Sequence, residues 1–264
     1  MGQDNLLIDP VFSTRCSPSQ WFGPKRYRPP ACTIPELRKI DVVLVSHDHY
    51  DHLDEEALND LYTLYKPIFI AGLGSRGVFP AKCRLQEMDW MNTCEFDINT
   101  RKYRITFVPV CHWSRRGAFD YNTRLWGGFV IETPYGQRIF YSGDTAYTGV
   151  FKEIGDKFGP FDLAILPIGA YEPRELLAAQ HVDPEQAVQI HMDIKSKKSV
   201  GVHWGTFPLG FEHFLQPKQD LEKALTNHGL KKEEFITVHH GESFVAWFCK
   251  KKPSRLHFGW IRDG

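Results

Sequence analysis

Six cysteines stand at positions 16, 32, 83, 94, 111 and 249, and no two of them have C-x-x-C spacing. That excludes a zinc site built on cysteine pairs and gives no sign of a disulfide framework, so the thiols read as reduced, in an intracellular protein. Excess charge of either sign is also missing. The 32 basic and 32 acidic residues cancel, which leaves no bulk attraction to nucleic acid. No apolar stretch is long enough to span a bilayer and no signal peptide opens the chain, so any membrane contact is expected to be peripheral. Internal repeats, low-complexity tracts and linkers are absent too. What remains is 264 residues, 42% hydrophobic and 24% charged, values ordinary for a globular chain. One mixed α/β domain over residues 1–264 is the simplest expectation. The 14% aromatic content suits a large aromatic core or an apolar cavity or surface.

Against that background, His47-Asp48-His49-Tyr50-Asp51-His52 stands out. It reads H-x-H-x-D-H and directly follows the apolar run Asp41–Ser46, a candidate buried strand. In extended backbone His47 and His49 point the same way, and a following turn brings Asp51 and His52 toward a second point. Imidazole nitrogen and carboxylate oxygen are ligands that zinc accepts. Further single residues of the same kind follow β-rich runs downstream: His112 after 103–111, Asp144 after 138–143 and His203 after 198–202. Their recurrence points to a shared mouth at one edge of a sheet.

Helix signals occur where Asp54-Glu55-Glu56-Ala57 precedes Leu58, Leu61, Leu64 and Tyr65, and where Asp183-Pro184-Glu185-Gln186 offers an N-cap, a first-turn proline and a capping-box Gln. A third helix is predicted from Pro217 to Leu230, ended by Asn227-His228-Gly229. Thr133-Pro134-Tyr135-Gly136 reads as the turn of a hairpin between 128–131 and 138–141.

The H-x-H-x-D-H cluster, the later lone His, the Gly143-Asp144-Thr145 step and the final His together resemble the metallo-β-lactamase superfamily. Segments Ile8–Ser13, Ser17–Gln20, Gly23–Arg26, Ile168–Arg174, Gln180–Glu185 and His203–Phe207 are similar to the N-acyl-phosphatidylethanolamine-hydrolysing phospholipase D family within it. The resemblance runs from about residue 6 to about residue 245. It implies a four-layer αββα sandwich with a site between two sheets. It also implies two zinc ions, one held by His47, His49 and His112, the other by Asp51, His52 and His203, with Asp144 bridging. Asp51, Asp144 and His181 would be the catalytic residues, and Tyr50 and His181 would contact substrate near the phosphate. The family precedes the first segment with a further strand pair, so the first sheet is expected to lack edge strands. The segment 66–91 matches the family poorly.

The implied reaction is hydrolysis of N-acyl-phosphatidylethanolamine to N-acylethanolamine and phosphatidic acid by a hydroxide shared between the metals. His181 is a candidate proton donor, or a structural histidine bonded near Asp183. The substrate would be a phospholipid at a membrane surface, and the family implies a homodimer. Trp21, Phe22 and Tyr27, interleaved with Lys25, Arg26 and Arg28, suit an interfacial lip, or equally a Pro-rich loop packed inward. Tyr171 and Glu172 either shape the groove or form a structural turn. Two alternatives stand beside the phospholipase: another hydrolase on the same metals, such as a lactonase or soluble phosphodiesterase, and a non-catalytic lipid-binding form.

Overall fold

The computed structural model describes residues 4–248 and 254–258. Two sheets stack face to face. The first has the order β1 (Leu6–Ile8), β2 (Val42–Val45), β3 (Ile68–Gly72), β4 (Arg84–Met88), and all its pairs are parallel. The second runs from β5 (Thr93–Ile98) through β6 (Arg101–Val108), β7 (Gly128–Glu132), β8 (Arg138–Tyr141), β9 (Leu163–Pro167) and β10 (Ser199–Val202) to β11 (Phe235–Ile236). It is antiparallel up to β8 and parallel beyond. A separate antiparallel pair, β12 (Phe244–Phe248) and β13 (Ser254–Phe258), follows.

Three apolar clusters fill the three spaces of an αββα sandwich. Val43 and Val45 pack outward with Leu58 and Leu61 of α1 (Glu55–Tyr65). Val42 and Leu44 face inward against Phe107, Phe129 and Ile139 of the second sheet. Phe140 faces the far side, toward α2 (Val150–Phe158), α4 (Pro184–Asp193) and α5 (Gln216–Asn227), where Phe151, Ile190 and Leu225 meet it; the short α3 spans Arg174–Leu177. This explains the unbroken Val-Val-Leu-Val of β2: a strand covered on both faces has no solvent side to make polar. Part of the aromatic content is core: Phe69, Phe107, Phe129, Phe140, Phe151, Phe161 and Phe235 are fully buried.

Among the described residues β1 pairs with β2 alone. The second sheet is wider than the first. Leu6, Ile8, Ile165, Val202 and Ile236 near that edge are therefore only partly buried, and a cavity of about 380 Å³ opens there.

The predicted caps hold in outline. Asp54 caps α1 by accepting from the backbone of Glu56 and Ala57, and Asp183 caps α4 by accepting from Gln186 N at 2.8 Å. The Gln186 side chain does not close a capping box; its Oε1 accepts from Arg174 instead. The 128–141 hairpin forms as β7 and β8. Cys16, Cys32 and Cys83 are buried free thiols. Cys111 is only half-buried rather than a core residue, because it forms an isolated bridge to Ala146 at the rim. Cys249 lies outside the described residues.

Candidate metal centre

The mouth is built from the strand ends of both sheets, not from one sheet edge as the spacing suggested. His47 to His52 leave β2 of the first sheet. His112, Asp144 and His203 follow β6, β8 and β10 of the second. The step before Asp144 needs glycine. Gly143 has φ +63°, and a Cβ there would lie 2.8 Å from Ser46 Cβ. His203 itself has φ +58°, an uncommon conformation for a non-glycine residue of the kind that gathers at functional sites.

His47 Nε2 lies 3.0 Å from His49 Nδ1, and His112 Nε2 lies 3.1 Å from the same atom. The outer nitrogens of two of these rings are already committed. His47 Nδ1 donates to Ser46 Oγ at 2.9 Å, and His112 Nδ1 donates to the Gln180 carbonyl at 3.0 Å. Their Nε2 lone pairs are thereby turned inward. Three nitrogens this close match the edges of a tetrahedron around a zinc-sized cation, which are about 3.3 Å for bonds of about 2.0 Å.

Asp51, His52, Asp144 and His203 form the second group. His203 Nε2 is 3.0 Å from Asp51 Oδ2 and 3.2 Å from Asp144 Oδ2. His52 Nε2 is 3.2 Å from Asp144 Oδ2. The same Asp144 oxygen lies 4.0 Å from His47 Nε2 and 3.9 Å from His112 Nε2, so one carboxylate stands between the two groups. His52 Nε2 and Asp144 Oδ1 are buried without hydrogen-bond partners. Buried polar atoms are rarely left so. The donor set therefore fits a cation.

Electrostatics separates the groups. Burial pushes the imidazoles of His47, His49 and His112 toward the neutral form, His112 to about 3. Burial opposes ionisation of Asp51 and Asp144 as well, but the neighbouring imidazoles outweigh it and hold both carboxyls well below their usual range. His52 and His203 are raised despite burial, since Asp144 and Asp51 face them.

His181 sits against the cluster, its ring 5.3 Å from His112 and 5.6 Å from His203. Its Nδ1 is buried without a partner, 3.7 Å from Asp144 Oδ2. The structural alternative near Asp183 does not hold, because Asp183 caps α4 and pairs with Arg174. Tyr50 is anchored through Arg116. Its hydroxyl donates to the Arg116 carbonyl at 3.0 Å and its ring lies 4.0 Å from that guanidinium. It braces the segment 113–124. Arg26 is likewise no free lip cation: it donates to the Ser13 and Val11 carbonyls and covers Phe207. Tyr171 and Glu172 form a structural turn, with Tyr171 OH donating to Asp220 at 2.7 Å and Glu172 N to Glu212.

Three supporting residues were assigned no role from sequence. Asp9 accepts from His52 Nδ1, Ser46 Oγ and Tyr141 OH at 2.7, 2.6 and 2.6 Å. Gln180 holds His112 through its carbonyl and Trp113 Nε1 through its side chain. Trp113 packs 4.3 Å from the His49 ring. Only the position of Asp9 at a strand end, like the ligands, could have marked it.

The beta-lactamase superfamily domain model matches residues 4–204. The N-acyl-phosphatidylethanolamine-hydrolyzing phospholipase D 1 of Caenorhabditis elegans is 38% identical over 256 residues, covering 91% of this chain and 70% of the relative. The mitochondrial enzyme of the same name from Saccharomyces cerevisiae is 35% identical over 230 residues, covering 86% of this chain but 49% of the relative, so the chain spans about half the length of the yeast protein. Among solved structures, the isothiocyanate hydrolase from Delia radicum gut bacteria superposes with a TM-score of 0.64 at 16% identity, covering 90% of each chain. That likeness speaks for the fold alone. With sandwich, site and relatives in agreement, the chain belongs to the β-lactamase superfamily, in the family that includes the N-acyl-phosphatidylethanolamine-hydrolysing phospholipases D.

Proposed function

We propose that the chain is a zinc-dependent phosphodiesterase that hydrolyses N-acyl-phosphatidylethanolamine to N-acylethanolamine and phosphatidic acid. The observation that carries the reading is Asp144, whose Oδ2 stands within 4.0 Å of four imidazole nitrogens from two groups. His47, His49 and His112 would hold one zinc, Asp51, His52 and His203 the other, and Asp144 both. When bound, the ions would supply Lewis acidity and acidify water to a pKa of about 7.

The chain's own groups do the rest. Asp51, ionised and facing the cavity, orients the attacking water. His181 belongs to neither ligand group, and its Nδ1 is buried beside the cluster without a hydrogen-bond partner. Burial keeps that imidazole neutral, so it suits hydrogen bonding to a phosphoryl or leaving oxygen better than it suits a charged acid. The cavity beside Asp51, His52 and His203 has an apolar wall of Ile8, Val11, Ile165, Val202 and Leu209. That wall supports a lipid over a soluble nucleotide or a small lactone. Among the described residues no helix is long and apolar enough to cross a membrane; the substrate is met from the bilayer surface.

The test is hydrolysis of N-acyl-phosphatidylethanolamine by the purified chain, with zinc quantified on the same sample. Release of acylethanolamine with about two zinc per chain supports the reading. Two zinc without release moves the assignment to another substrate or a non-catalytic lipid-binding role.

A further inference from the structure

Two loops far apart in sequence join into one rim beside the cavity. Tyr27 N donates to the Thr206 carbonyl at 2.9 Å. The Tyr27 ring lies 5.5 Å from Phe214, and Arg26 lies 4.9 Å from the Phe207 centroid. Arg26, Tyr27, Phe207, Leu209 and Phe214 all line the cavity. Beyond this seam both loops hold large apolar side chains out into solvent. Trp21 is 90% exposed, Phe22 69% and Phe211 88%.

The backbones that carry them are tied down. Arg15 donates to the carbonyls of Gln20 and Gly23. Phe211 N donates to the Glu172 carbonyl, and the Glu212 carboxylate accepts from Ala170 N and Glu172 N. Large apolar rings held out into water on tied-down backbone mark an interaction surface. Lys25 and Arg28 on the first loop are exposed. Aromatic side chains with adjacent cations match the interfacial layer of a bilayer, where rings enter the headgroup zone and cations meet phosphates.

We propose that segments 15–28 and 206–215 form a single docking surface for an anionic lipid bilayer, with Phe211 as the anchor of the second loop opposite the Trp21–Phe22 anchor of the first. The assignment of the occupant rests on the phospholipase reading, and the test is independent of turnover. The metal-loaded chain is sedimented with vesicles of phosphatidylcholine alone or mixed with phosphatidylserine, free of N-acyl lipid. It is expected to partition onto the mixed vesicles and to be released by salt. Trp21→Ser and Phe211→Ser should each lower partition about tenfold, and the double variant about a hundredfold. Phe119→Ser, at a fully exposed ring in the segment 113–124, should leave partition unchanged. Wild-type partition by Phe211→Ser, or an equal loss in Phe119→Ser, would overturn the surface. So would no vesicle binding together with a self-association that Phe211→Ser abolishes, which would assign the rim to a second copy. Intact partition without hydrolysis of N-acyl-phosphatidylethanolamine would instead overturn the substrate and leave the surface standing.

Discussion

His52 Nδ1 lies 2.7 Å from Asp9 Oδ2, across 43 positions of sequence. A carboxylate only accepts, so Nδ1 carries a proton and the ring is held with Nε2 toward Asp144, the nitrogen that a cation would take. Ser46 Oγ donates to the same carboxylate and accepts from His47 Nδ1. One aspartate thus sets the ring orientation of a residue in each ligand group.

Asp9→Asn should therefore weaken metal binding without unfolding the chain. Asn tolerates the φ of +44° found at position 9 about as well as Asp does. Loss of such a support typically lowers affinity about 10- to 100-fold. Zinc titration against a competing chelator measures it, and unchanged affinity would show that Asp9 does not orient the ligands.

Asp144→Asn should reduce turnover about a thousandfold or more and lower the metal content, since one carboxylate lies between both groups. Near-normal turnover with full metal content would refute its bridging place.

Metal uptake by the metal-free chain at pH 7 should release protons from one group only. His52 and His203 are raised above the usual histidine value by Asp144 and Asp51. They hold protons that a cation must displace, and the release should shrink as pH rises through those raised values. His47, His49 and His112 are lowered by burial and bind without release. Calorimetry in buffers of different ionisation enthalpy counts the protons. Equal release for both equivalents of metal would contradict the separation.

His181→Ala should keep metal content and lower activity by about 10²- to 10³-fold, the range for a positioned hydrogen-bond donor to developing charge. Loss of metal would instead place His181 among the ligands.

Phe107→Ala, at a fully buried ring between the sheets, should cost about 3–5 kcal/mol of stability. Denaturant unfolding checks this, and a change below about 1 kcal/mol would mean that the two sheets do not depend on this contact.

The sequence by itself determined the elements whose signal is local. The H-x-H-x-D-H cluster directly follows its apolar strand, and His112, Asp144 and His203 follow theirs, so strand ends and ligands were legible together. Asp54 and Asp183 announced their helices because a cap bonds within three residues. Tertiary structure decided what depends on stacking the sheets. It decided that the ligands come from two sheets rather than one edge. It turned Asp9 toward His52, Gln180 toward His112, and the Tyr50 hydroxyl toward Arg116. It tied Arg26 down while leaving Trp21 and Phe211 in water. Such pairings join residues tens of positions apart, and no periodicity records them. They exist only once burial of the two sheet faces against each other has brought the strand ends together.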